Sequence, residues 1–128
     1  MVSTERVLFS LQMSEESLQE VHLLLRDGKI RSLLNSLYNV FYYGIEAVLL
    51  ALDIHSRGHT GLKKNFIEKV VRPGIFPKHP TGWEKEIETI FKVKEENEKG
   101  KTFISEEVQP LIQSGELFLK TVKTHLLV

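Results

Sequence analysis

The chain has 128 residues, enough for one domain with a core of its own, and its 17 basic and 17 acidic residues cancel. Overall charge therefore makes no case for a nucleic acid or an anionic membrane. With no cysteine, disulfides, thiolate metal sites and cysteine nucleophiles are excluded.

The first expected element is a helix from Ser3 or Thr4 to Arg26, with Val7, Leu8, Leu11, Leu18, Val21 and Leu25 at helical spacing. Ser14, followed by Glu15 and Glu16, is an alternative start for a shorter helix. Asp27-Gly28 ends the element, because glycine accepts the left-handed conformation at a helix C-terminus. So short a break implies an antiparallel helical hairpin.

The second helix, Lys29 to Ile54, contains all three tyrosines and the longest apolar run, Ala47 to Leu52. Leu34, Leu37, Phe41, Ile45, Val48 and Leu52 form its apolar face. Beside it runs a polar line, Asn35, Asn39, Tyr42 and Glu46, with Tyr38 and Tyr43 close by. Uncharged donors and acceptors in such a line suit a base, a ribose or a partner subunit. They also suit a polar network at a helix crossing. Gly44, costly inside a helix, points to close approach by another helix.

After the break Asp53 to Thr60, Thr60 is placed to cap a short helix, Gly61 to Val71, with Leu62, Phe66, Ile67 and Val70 inward. Arg72 to Gly82 holds three of the four prolines and reads as an irregular connection in which Ile75 and Phe76 need burial. The fourth helix, Trp83 to Lys99, has Trp83, Ile87, Ile90 and Phe91 on one face and a charged end projecting into water. Ser105 is the expected N-cap of the last helix, whose stripe is Val108, Leu111, Ile112, Phe118, Leu119, Val122 and Leu126. Gly115 on that stripe marks a second close approach. The sum is an all-α single domain over residues 1–128: an antiparallel up-and-down bundle of four long helices and one short one.

Candidate chemistry gathers after the second helix. His55 and His59 lie four apart, but in a loop with no nearby carboxylate except Asp53, so no metal is expected. With Arg57 they could instead supply proton transfer and phosphate binding. Between Arg57 and His79 there are six basic residues (Arg57, Lys63, Lys64, Lys69, Arg72, Lys78) against Glu68, a local excess of five. Lys63 and Lys64 are the candidate phosphate contacts.

The run S-L-Y-N-V-F-Y-Y-G-I-E-A-V-L-L-A-L followed by H-S-R-G-H-T-G-L-K-K-N-F resembles the HEPN superfamily (higher eukaryote and prokaryote nucleotide-binding domains), in particular its small stand-alone prokaryotic branch. The matching positions are Tyr42-Tyr43-Gly44, Glu46-Ala47, Ser56, His59, Gly61 and Phe66, and the pattern extends over nearly the whole chain. The resemblance implies a helical bundle, a homodimer, and pairing with a minimal nucleotidyltransferase in a toxin–antitoxin module. Active relatives resemble metal-independent ribonucleases whose signature is an arginine and a following histidine with four to six residues between them. The match here is Arg72 with His79, and two of the six intervening residues are prolines. Arg57 and His59 are too close together for the signature. The leading expectation is a cytoplasmic nucleotide- or RNA-binding or protein-interaction module, without a cofactor or membrane association. The contact residues would be Asn35, Tyr38, Asn39, Tyr42, Tyr43 and Glu46. The alternatives are a dimeric RNA endonuclease using Arg57, His59, Arg72 and His79, and a purely structural helical subunit.

Overall fold

The structure, a computed structural model, describes residues 4–126, and these form five helices with no strand among them. α1 (Thr4–Arg26), α2 (Ile30–Ala51), α4 (Trp83–Glu98) and α5 (Ser105–Leu126) are long. α3 (Gly58–Phe66) is short and runs on into a π-helical turn, Ile67–Val71. No described helix is long and apolar enough to cross a membrane.

α1 is one unbroken helix, so Ser14 is not a cap; the alternative start at Ser3 lies outside the described residues. Ser14 is buried and its hydroxyl donates to the Val40 carbonyl at 2.7 Å. Its neighbour one turn back, Ser10, donates to Glu46 at 2.6 Å. Residue numbers rise along α1 as they fall along α2, so the pair is antiparallel. The hairpin turns at Gly28, with φ +70°, through Lys29 N–H to Leu24 O and Gly28 N–H to Leu25 O. This is the double closure that a left-handed residue permits at a helix end.

Similar reasoning orders the rest. Asn97 meets Arg31, while Phe91 meets Tyr38, so α4 is antiparallel to α2. Glu86 meets Ser114 and Trp83 meets Phe118, so α5 is antiparallel to α4. Successive long helices alternate in direction, and α2 and α5 are therefore parallel. They pack directly on one another. A Cβ on Gly44 would stand 2.8 Å from Phe118 Cε2, and one on Gly115 would stand 2.7 Å from Leu37 Cδ1. Each glycine thus receives a large side chain of the other helix. Phe41 and Phe118 stack at 4.6 Å at the centre, both fully buried.

Several boundaries and orientations differ from the sequence reading. α2 stops at Ala51, and Asp53 takes the left-handed conformation (φ 57°) that closes it through Ile54 N–H to Leu49 O. Leu52 falls past the helix and is exposed. α3 begins at Gly58, so Thr60 is inside its first turn and Arg57 is the cap. Leu8 projects from the solvent side of α1, and Ile75 is 48% exposed, because Phe76 alone fills the space beside Phe66, Trp83 and Phe118. The charged end of α4 is anchored: Asn97 is 3% exposed and donates to Arg31 O at 3.0 Å. Ile104, one residue before the expected cap, is the residue whose N–H is taken by Glu107 at 3.1 Å. A carboxylate three residues into the helix reaches back to its start, as in one half of a capping box.

Candidate functional site

The residues with chemical potential gather where α2 approaches its end, α3 begins, and α1 and α4 pass on either side. Tyr38 is the innermost. It is 3% exposed, and its hydroxyl is hydrogen-bonded to His59 Nδ1 across the α2–α3 gap. Burial, then the adjacent Tyr42, then the Glu98 carboxylate push the phenol well above its usual range. It therefore keeps its proton and is able to donate it to His59 Nδ1. In neutral His59 the ring proton then sits on Nε2. Tyr38 is further held by Phe91, edge-on at 5.0 Å, and by the Lys94 ammonium 4.6 Å over its face. Lys94 in turn pairs with Glu98 one turn on.

Tyr42 lies one turn further along α2 and is half-buried. Its ring is 4.8 Å from His59 and edge-on to Tyr43 at 5.2 Å. Its phenol is also shifted upward, by burial first and then by Glu46 and Tyr43. Behind it is a cavity of about 120 Å³ whose polar lining is Arg6, Tyr42, Glu46, His55 and Ser56. Leu49, Leu50, Ile54 and Leu62 supply apolar wall. A second cavity, of about 240 Å³, opens on the other side of α3, between His59, Thr60 and Lys63 and the α4 residues Glu88, Phe91 and Lys92. The first turn of α3 is therefore a partition between two recesses.

The polar line of α2 divides in two. Asn35 accepts from Asn97 at 3.4 Å and belongs to the α2–α4 crossing. Asn39 is half-buried. Tyr38, Tyr42, Tyr43 and Glu46 belong to the corner, with His59. Of the two lysines, Lys63 is paired with Glu88 at 3.0 Å and lies over Phe91. Lys64 and Arg57 are exposed and make no hydrogen bond or ion pair with a described residue.

The remaining candidates are elsewhere. Arg72 is clamped by both oxygens of Glu84, at 3.0 and 2.9 Å, and that carboxyl is held below its usual range by the guanidinium. His79 packs on Trp83 at 4.5 Å, and its Nδ1 accepts from the Thr81 N–H at 3.1 Å. That leaves its neutral-form proton on Nε2, facing Glu86 at 4.0 Å. His59 neighbours Tyr38, which touches Phe91, whereas His79 neighbours Trp83. Eight residues of helix, about 12 Å, separate those two levels of α4. The two histidines serve different places. His55 is engaged by Asp53 at 3.2 Å, and no group of three or more metal-binding side chains occurs among the described residues.

Four contributors were not singled out in the sequence: Arg6 and Ser10 from α1, and Lys94 and Glu98 from α4. Ser10, Ser14 and Ser17 recur at steps of four and three and are all buried. That small-residue stripe was the available sign that α1 presses this face against α2. The chain matches no family model and no curated protein.

Proposed function

We propose that this chain is a HEPN-like nucleotide- or RNA-binding module, and that the corner formed by Tyr42, Tyr43 and His59 is where it holds its ligand. The observation that carries this reading is the grouping of three part-exposed aromatic rings beside a polar cavity, with the unpaired cations Arg57 and Lys64 on the adjoining α3. Aromatic faces accept stacked bases, and nearby cations follow the phosphate backbone. Cleavage by Arg72 and His79 has less support, because Glu84 already holds Nε and Nη2 of Arg72 and Thr81 already engages Nδ1 of His79. A homodimer and a nucleotidyltransferase partner belong to the same proposal. Leu8 and the 60% exposed Phe9 on α1 offer apolar surface for one of them.

Fluorescence anisotropy with a labelled single-stranded RNA tests the reading. Binding is expected, weakening as salt rises. The Tyr42→Ala, His59→Ala double variant is expected to lose about fivefold to a hundredfold in affinity. No anisotropy change up to about 100 µM protein at low salt, weaker than ordinary non-specific binding, would end it. Light scattering on the eluting protein checks the dimer, which a purely monomeric profile would remove.

A further inference from the structure

We infer that the cavity beside Glu46 is a guanine pocket, in which the Glu46 carboxylate takes the adjacent N1–H and N2–H donors of the base. This rests on the nucleotide-binding reading above and adds the identity of the base.

The cavity's size is the first argument. At about 120 Å³ it is well below the roughly 300–1,000 Å³ of pockets that enclose a whole drug-sized ligand. A single flat ring system fits that space better than a nucleotide, with sugar and phosphate left outside near Arg57 and Lys64. The walls suit a flat ring: Leu49, Leu50, Ile54 and Leu62 are apolar, and Tyr42 lines the same space.

The polar lining is the second argument. Glu46 is the one acid among the described lining residues. It is half-buried, and Ser10, itself 1% exposed, donates to its Oε1 at 2.6 Å. The carboxylate is thereby oriented before any ligand arrives. An ionised carboxylate only accepts hydrogen bonds, and it accepts two parallel ones most readily. Guanine alone among the four RNA bases presents two donors side by side on its Watson–Crick edge. Adenine and cytosine place a ring acceptor next to the amino group, which a carboxylate repels. Uracil sets its single N–H between two carbonyls. Guanine also carries the acceptor O6 next to N1–H, and Arg6 lines the same cavity.

The rival role for Glu46 is a tie between α1 and α2 through Ser10. Glu46→Gln separates the two, because the amide oxygen preserves the Ser10 bond while the amide nitrogen replaces an acceptor with a donor. Anisotropy is measured with uridine oligomers carrying one central guanosine, adenosine, cytidine or inosine, on the native chain and on Glu46→Gln. The native chain is expected to bind the guanosine oligomer about tenfold tighter than the adenosine one. Inosine, lacking the 2-amino group, is expected to fall between them. Glu46→Gln is expected to abolish the preference, guanosine affinity falling while adenosine affinity holds or rises, because an amide complements the donor–acceptor edge of adenine. Equal binding of all four oligomers by the native chain, or a preference that survives Glu46→Gln, overturns the guanine assignment and leaves RNA binding standing. Binding of none overturns both.

Discussion

The α2–α5 crossing and the Tyr42–His59 corner are built on two faces of one helix, about 130° apart around its axis. At the crossing, Leu37, Phe41 and Gly44 meet Gly115, Phe118 and Val122, with every group apolar and a glycine of each helix facing a large side chain of the other. At the corner, Tyr38, Tyr42 and Glu46 meet Ser10 and His59 through hydrogen bonds and ring faces, beside two open recesses. One face is closed and specifies how the helices sit. The other is held in place by that packing yet remains part-open to solvent. The lesson is that rigidity for the corner comes from the neighbouring face of the same helix.

Substitutions can test whether the two faces are separable in this way. The largest effect is expected from Phe118→Ala. The ring is fully buried and contacts Phe41, Phe66, Phe76 and Trp83, so its loss should cost about 3–5 kcal/mol in denaturant unfolding. A cost below about 1 kcal/mol would show that the crossing is not close-packed. Next comes a pair of glycine substitutions. Gly44→Val drives methyl groups into the Phe118 ring and should cost about 1–3 kcal/mol. Gly115→Ala meets only the tip of Leu37, which can rotate, and regains about 1 kcal/mol of helix propensity, so it should come out near neutral. Equal costs for the two would contradict the distinction between a stacked ring and a flexible chain end.

The smallest effect concerns the corner and appears only in alkali. Tyr38 has a folded-state pKa raised above its unfolded value. Its contribution is complete below the unfolded pKa, near pH 10, and is lost as pH climbs towards the folded value. Across that window the unfolded state releases a proton that the folded state retains, so stability should fall by up to about 1.4 kcal/mol per pH unit. Tyr38→Phe should flatten the slope between pH 10 and 11 while retaining most of the ring's packing. An unchanged slope, followed by circular dichroism in urea, would mean that the phenol is not shielded as its position implies.

Much of the scaffold was legible in the chain because it depends on local rules. The glycine turn at Gly28, the proline-rich break and the helical spacing of apolar residues each act within a few positions. Even the two close approaches were announced, since a glycine inside a helix needs a reason. Orientation at element ends was less legible. Leu52 belongs to the apolar run but falls beyond the left-handed closure at Asp53, and Ile75 is left exposed while Phe76 is buried. Periodicity cannot say which side chain at a boundary goes in. The candidate site was half visible. Tyr42, Glu46 and His59 were singled out, but Arg6 and Ser10 lie on α1 about forty residues away in sequence.

By itself, then, the sequence determined five helices, their approximate limits and the two glycines at which helices close upon each other. Tertiary structure alone decided which residues share a site. It brings His59 to Tyr38 and Tyr42, sets His79 against Trp83 on another level of α4, and turns Arg72 towards Glu84. The physical reason is range. Helix formation and termination are settled by neighbours three to five residues apart, whereas Ser10 and Glu46, or Tyr38 and His59, meet only after apolar burial has folded α1, α3 and α4 onto α2.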